Sequence, residues 1–192
     1  PAKRDTLRDL ASEMRRKLVI DTNVRQARSV AQTVAGSTPV ALALYPGWTL
    51  GRVLSRKQPR GDWSLRWQAA YDAVGGDGAA ATEMTALKSS PIWAALGAGA
   101  GGYTDTLDTP FPPFAFGSGY SWRPASRERC IELGLIAADE PATGPDPASI
   151  SLAPADSTLA EAFADMPPDW RERAIAGIQA TARVVPLQEV TT

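Results

Sequence analysis

The stretch Pro110-Phe111-Pro112-Pro113-Phe114-Ala115-Phe116 holds three prolines and three phenylalanines within seven residues. Proline fixes φ and removes a backbone donor, which excludes this run from helix interiors and central strands. The residue before each proline is also pushed towards extended geometry. The sequence therefore predicts a stiff, ordered loop whose phenylalanine rings lie on apolar surface, either the protein's own core or another subunit.

Composition places the chain among globular proteins. Its 192 residues are 44% hydrophobic, and a chain of this length buries about 70% of its unfolded surface on folding. The content of 16 glycines and 16 prolines predicts long ordered loops rather than global disorder. The formal net charge of -1 does not indicate a dedicated nucleic-acid-binding protein, because such proteins carry a basic surplus. A DNA contact through the basic cluster at residues 52–60 stays open.

The residue types present limit the available chemistry. The chain has no histidine, which excludes a Ser-His-Asp triad, a Cys-His dyad and histidine metal ligands. Cys130 is the single cysteine and is expected to be a small buried hydrophobic residue in a helix. The glycine run at 97–102 lacks the Gly-Lys-Ser/Thr sequence of a phosphate-binding loop. We therefore predict no enzyme activity, no catalytic residue, no cofactor and no metal site.

Hydrophobic periodicity predicts mostly helices with a few short strands. The first 35 residues are expected to be helical, as one helix or two, with a bend favoured at 20–23; the second half carries an apolar stripe of Val24, Ala27, Ala31 and Val34. Further helices are predicted at 38–44, 63–74, 91–96 and 127–133, and strands at 48–54 and 84–87.

These elements predict an α+β fold, a helix-rich single domain with short strands, the long Pro/Phe-rich loop and a C-terminal helical extension. We expect the main domain at 1–137, a linker at 138–155 and the extension at 156–192. No segment reaches 18 consecutive apolar residues, so no membrane-spanning helix is expected. The first residues lead into an amphipathic pattern and not into a secretory signal.

Five segments resemble, in the same order, segments of the phage Mu F-like minor head proteins, also called phage head morphogenesis proteins. Together they extend over about residues 7–136. The resembling segments are 18–28 (LVIDTNVRQAR), 60–67 (RGDWSLRW), 86–93 (ALKSSPIW), 110–119 (PFPPFAFGSG) and 126–136 (SRERCIELGLI).

The chain also departs from the pattern of that family. Aspartate is replaced at Ser89, Ser90 and Ala115, asparagine is replaced at Gly117, and the terminal Cys-Arg-Cys signature of many members is absent. The apolar and proline positions are kept while polar groups are lost. A structural role tolerates such losses better than a catalytic role does.

The resemblance implies a structural virion protein of a tailed phage or prophage, inside the head or at its portal-proximal part. It would assist head assembly or genome delivery, with the portal protein or the major capsid protein as partner and copies of itself arranged in a ring. It would be assembled in the bacterial host cytoplasm, without membrane contact. Two alternatives stay open: a head-to-tail connector component, and a nuclease- or hydrolase-type phage effector.

Large aromatic side chains and one arginine are the predicted contacts with such a partner, because these residue types dominate interface hot spots. For Trp63 and Trp67, four residues apart on one helix face, a core anchor beside a solvated Arg66 is favoured over the interface role. The partner-interface candidates are Trp63, Arg66, Trp67, Trp93, Phe111, Phe114, Phe116 and Trp122.

Overall fold

The computed structural model describes residues 13–55 and 61–146, which belong to the compact unit Pro1–Leu152. The predicted extension at 156–192 and the part of the predicted linker beyond residue 146 lie outside the described residues. The described part combines helices with a small antiparallel sheet, so the predicted mixed α+β class is confirmed at this level.

Five helices and three strands make up the described fold. The helices are α1 (Glu13–Gly36), α2 (Pro39–Leu44), α3 (Trp63–Ala73), α4 (Ile92–Gly97) and α5 (Arg127–Glu132). The strands are β1 (Gly47–Arg52), β2 (Thr85–Leu87) and β3 (Tyr120–Ala125).

The sheet has the order β2-β1-β3, and both pairings are antiparallel. In the central strand, Trp48 and Leu50 are buried on one face, which is the period-two pattern of a half-buried strand. Sequence patterns did not predict β3, since Pro124 lies within it. Proline is tolerated there because β3 is at the edge of the described sheet, where one side makes no ladder hydrogen bonds.

Helix α1 runs without interruption for 24 residues, so the favoured bend at residues 20–23 is wrong. Local capping by Asp21, Thr22 or Asn23 was the reason to expect a break. In the structure Thr22 is 4% exposed and lies on the same helix face as the buried Ser29 and Thr33. Tertiary burial of this face outweighs the local capping preference.

Aromatic rings from several elements meet at Trp122 of β3. Its ring centroid lies 5.3 Å from that of Trp48 and 5.2 Å from that of Trp93. The rings of Phe111 and Phe114 approach it to 6.4 Å and 6.0 Å. These distances are typical of favourable aromatic pairs. Trp122 therefore joins the sheet, α4 and the Pro/Phe segment in one core.

The Pro/Phe segment is covered by the domain itself over most of its length. Phe111 and Phe114 are 2% and 1% exposed, and Pro112 and Pro113 between them are fully buried; the peptide bond joining the two prolines is cis. Only Phe116 of its three phenylalanines is exposed. The protein's own core thus supplies the apolar surface that the sequence requires.

Close backbone packing at the end of α4 yields a stability prediction. A Cβ at Gly97 would lie 2.0 Å from the carbonyl oxygen of Thr109, so Gly97→Ala must displace the chain that leads into the Pro/Phe segment. We expect a loss of about 1–3 kcal/mol in the free energy of unfolding, as for other overpacked sites. Urea denaturation measures it. Gly51→Ala in β1 is the control, since a Cβ there meets nothing within 4 Å, and an equal loss in both variants would contradict the account.

Candidate interaction surface

Arg66 lies one turn into α3 and is clamped between two carboxylates. Its Nε donates to Asp62 Oδ2 at 2.8 Å, and its two terminal nitrogens donate to the two oxygens of Asp105 at 2.8 Å and 3.2 Å. The guanidinium also stacks over the ring of Tyr103 at 4.1 Å. Planar, bidentate pairing of this kind requires arginine and not lysine.

This clamp fastens α3 to the loop that leads into the Pro/Phe segment. Arg66 is 6% exposed, whereas the side chains of Asp62 and Asp105 are 34% and 37% exposed. The arginine is therefore not the solvated side chain that one alternative expected. The charge of Arg66 is neutralised inside the domain, so the role of this side chain is to hold two segments of the fold together.

Seven of the eight predicted interface residues belong to the domain's own interior, each 6% exposed or less. These seven residues are therefore core residues and not surface contacts. Side chains with so little accessible area have almost no surface left to bury against a partner. The corrected residues are Trp63, Arg66, Trp67, Trp93, Phe111, Phe114 and Trp122.

Phe116 is the candidate that stays on the surface, with 44% of its area exposed. Two more exposed apolar residues, Val53 and Leu54, follow the end of β1, and the backbone N–H groups of both donate to the carbonyl of Gly119. We call Val53, Leu54 and Phe116 the Phe116 patch. Sequence reasoning missed Val53 and Leu54 because they were assigned to the strand and not to its exposed end.

Two arginines on the sheet lie next to the Val53 end of this patch. The guanidinium of Arg52, the last residue of β1, stacks over the ring of Tyr120 at 4.9 Å. Arg123 of β3 donates to the carbonyl of Arg52 at 3.2 Å and is exposed. Exposed apolar side chains with arginines at their margin form the arrangement that protein interfaces favour, an apolar centre with a polar rim.

A second exposed apolar surface lies on α1. Ile20 is 63% exposed, and Val24 and Val34 are 43% and 46% exposed; Ala27 and Ala31 between them are exposed as well. We call these five residues the outer stripe. The sequence identified most of this stripe from its spacing, but spacing alone does not tell which face of a helix meets the domain.

Lys88, the residue after β2, ties the end of α1 to the sheet. Its Nζ donates to the carbonyl of Gly36 at 2.8 Å and lies 4.5 Å from the centre of the Trp48 ring. A cation at a helix C-terminus is favourable, because the last carbonyls carry partial negative charge. Lys88 is only 3% exposed, and this burial lowers its pKa to about 8. Lys88 lies in the resembling segment 86–93, but the sequence patterns predict no role for it.

The described residues offer little for metal or redox chemistry. No group of three or more His, Cys, Asp or Glu side chains within 13–55 and 61–146 is arranged to hold a metal ion. Cys130 is fully buried in α5, as expected, and burial raises the pKa of its thiol. In the same part of the chain, no helix combines the length and the apolar character needed to cross a membrane.

Comparison with family models, with curated proteins and with solved structures gave no match to this chain.

The clamp around Arg66 can be tested by truncation. Arg66→Ala leaves Asp105 and Asp62 without their shared cation and removes the stacking on Tyr103. Breaking a buried ion pair costs about 3–5 kcal/mol; because both carboxylates are a third exposed, we expect about 2 kcal/mol, read from urea denaturation. Arg129→Ala is the matched control, since Arg129 pairs with Glu83 and Glu132 at the surface, where such pairs stabilise little. Equal effects of the two substitutions would contradict a structural clamp.

The buried ammonium of Lys88 predicts a pH dependence. Its pKa falls from 10.5 to about 8 in the folded protein, so between these values the unfolded chain binds more protons. Stability from this group therefore rises with pH in that window, by at most ~1.4 kcal/mol per pH unit. Denaturation of wild type and Lys88→Met at several pH values isolates this contribution. The free energy of unfolding of wild type should increase relative to that of Lys88→Met as the pH rises from 8 to 10. If the two free energies instead change in parallel with pH, the pKa of Lys88 is not lowered.

Proposed function

We propose that this chain is a structural minor head protein of a tailed phage or prophage, which docks on the portal protein or the major capsid protein. It assists head assembly or genome delivery and has no catalytic role of its own. The observation that carries the proposal is that five separate segments resembling the minor head proteins lie next to one another in the fold.

The contacts between these segments are direct. Trp67 of the second segment lies 5.5 Å from Trp93 of the third, measured between ring centroids, and Trp93 lies 6.2 Å from Phe114 of the fourth. Arg25 of the first segment donates to the carbonyl of Ser118 in the fourth. Residues that match the pattern thus contribute to the core of the domain, together with Trp48 and Trp122 from outside the five segments.

The fifth segment joins the same frame through a smaller cluster. Leu135 of the fifth segment and Leu87 of the third both pack against the buried Cys130 and Ile136 there. A shared pattern whose members meet in one interior supports a shared architecture, since spacing along the chain alone does not require such contacts.

One departure from the family pattern keeps its local structural role. Ser90 stands where the pattern has aspartate, and its hydroxyl accepts a hydrogen bond from the N–H of Ile92 at 3.3 Å, in the first turn of α4. Serine and aspartate are both good acceptors at helix starts. The hydroxyl also donates to the carbonyl of Asp77 at 2.6 Å. An ionised aspartate has no hydrogen to donate in this second bond, so serine keeps an acceptor at the start of α4 and exchanges a charge for a donor.

The Phe116 patch is the surface that we assign to the portal or capsid partner. The Arg66 clamp fixes the loop beside it, since the N–H of Phe116 donates to the carbonyl of Asp105 at 3.4 Å. A rigid support reduces the entropy lost on binding. The neighbouring Arg52 and Arg123 favour an acidic margin on the partner.

Co-expression tests this function. The tagged full chain is produced with the portal protein and the major capsid protein of its own genome, and assemblies are separated by sedimentation. We expect the chain to sediment with one of them, and Phe116→Ser to reduce the bound fraction at least tenfold. Val40→Ser is the control, because Val40 is 70% exposed on α2, before the start of β1, whereas the patch follows the end of β1.

A folded chain that sediments with neither protein would contradict the proposal. Binding only to a neck or tail-completion protein would favour the connector alternative, and cleavage of nucleic acid by the purified chain would favour the effector alternative.

A further inference from the structure

Helix α1 meets the domain with a mostly polar face, to which Val30 adds an apolar contact with the core. Arg25 donates to the carbonyls of Ser118 and Tyr120, and Gln26 donates to the hydroxyl of Thr109 at 3.2 Å. Among residues 17–36 of this helix, the buried side chains are Thr22, Ser29 and Thr33. The polar face is thereby fixed inwards, and the outer stripe is directed away from the domain.

The outer stripe has the spacing of a helix-pairing seam. Its members, Ile20, Val24, Ala27, Ala31 and Val34, follow one another at intervals of four, three, four and three residues. This spacing is the heptad pattern by which one helix packs against another. An apolar seam of four turns, turned away from its own domain, is a surface that another helix would cover.

We propose that the outer stripe pairs with α1 of a second copy of this chain, with the two helices antiparallel. Centred between Val24 and Ala27, this alignment sets Val24 against Ala27 of the second copy and Ile20 against its Ala31. Ile20 and Val24 then each meet an alanine, and Val34 lies opposite the exposed Lys17 of the second copy. A parallel alignment would stack Ala27 and Ala31 on themselves and leave two thin layers beside three layers of paired branched side chains.

The charges beside the stripe agree with the antiparallel alignment. Asp21 and Arg28 are both exposed and border the stripe on the same side, seven residues apart. In the antiparallel pair, Asp21 of each copy lies opposite Arg28 of the other, and the two-fold axis makes this contact occur twice. Flanking charges of this kind set orientation and partner choice more than they set affinity.

The size of the seam defines the kind of dimer. The stripe from Ile20 to Val34 is about 21 Å long, at 1.5 Å per residue, and such a narrow contact is smaller than a standard stable interface. We therefore expect a reversible, concentration-dependent dimer. This inference does not depend on the proposed function, because it concerns a different surface and a different partner.

Sedimentation velocity of the full chain over a range of concentrations tests the pairing. Wild type should dimerise reversibly. Arg28→Asp and Asp21→Arg should each raise the dimer Kd at least about tenfold, because each places like charges opposite one another twice, and about 1.4 kcal/mol corresponds to tenfold. The double variant with both substitutions restores the opposite charges and should recover most of the affinity. Asp139→Arg, which changes the net charge as Asp21→Arg does and lies after α5, is the control and should leave the Kd unchanged.

Three outcomes would overturn the inference. The first is a wild-type chain that stays monomeric at every concentration. The second is a dimer whose affinity the charge swap does not restore. The third is a cysteine at position 20, in Ile20→Cys, that resists a thiol reagent in the monomer, since another part of the same chain would then cover the stripe. Circular dichroism verifies that each variant is folded, and the buried Cys130 keeps the background labelling low.

Discussion

The packing of four aromatic rings around Trp122 is the interaction on which the rest of the structure depends. Trp48 comes from the central strand, Trp93 from α4, and Phe111 and Phe114 from the Pro/Phe segment. These rings lie within 5.2–6.4 Å of Trp122 between centroids. A three-stranded sheet with short helices offers little core by itself, and large rings supply the buried area that small residues do not.

Cations fasten the outer segments to this aromatic core in a recurring way. The guanidinium of Arg66 stacks over Tyr103, and Lys88 lies over Trp48. Each cation also bonds to a segment distant in sequence, Arg66 to Asp105 and Lys88 to the carbonyl of Gly36. The buried positive charges of Arg66 and Lys88 are thereby satisfied within the chain.

Sequence patterns predicted the existence of most helices and strands, because periodicity and proline or glycine signals are local. They did not predict β3, where Pro124 argues against a strand and an edge position removes the objection. They also did not separate core from interface among the aromatic residues, since both roles call for tryptophan and phenylalanine. For α1 they identified a stripe but not its direction, which depends on hydrogen bonds from Arg25 to residues more than 90 positions away.

The central claim is that the chain covers its own Pro/Phe segment and leaves partners to other surfaces. Nuclear Overhauser contacts between side-chain protons of Trp122 and those of Phe111 and Phe114, recorded on the isolated full chain, measure this most directly. The account predicts strong cross-peaks and dispersed ring resonances without any partner. Random-coil ring shifts with no such cross-peaks, sharpening into a defined set only when a partner is added, would contradict it.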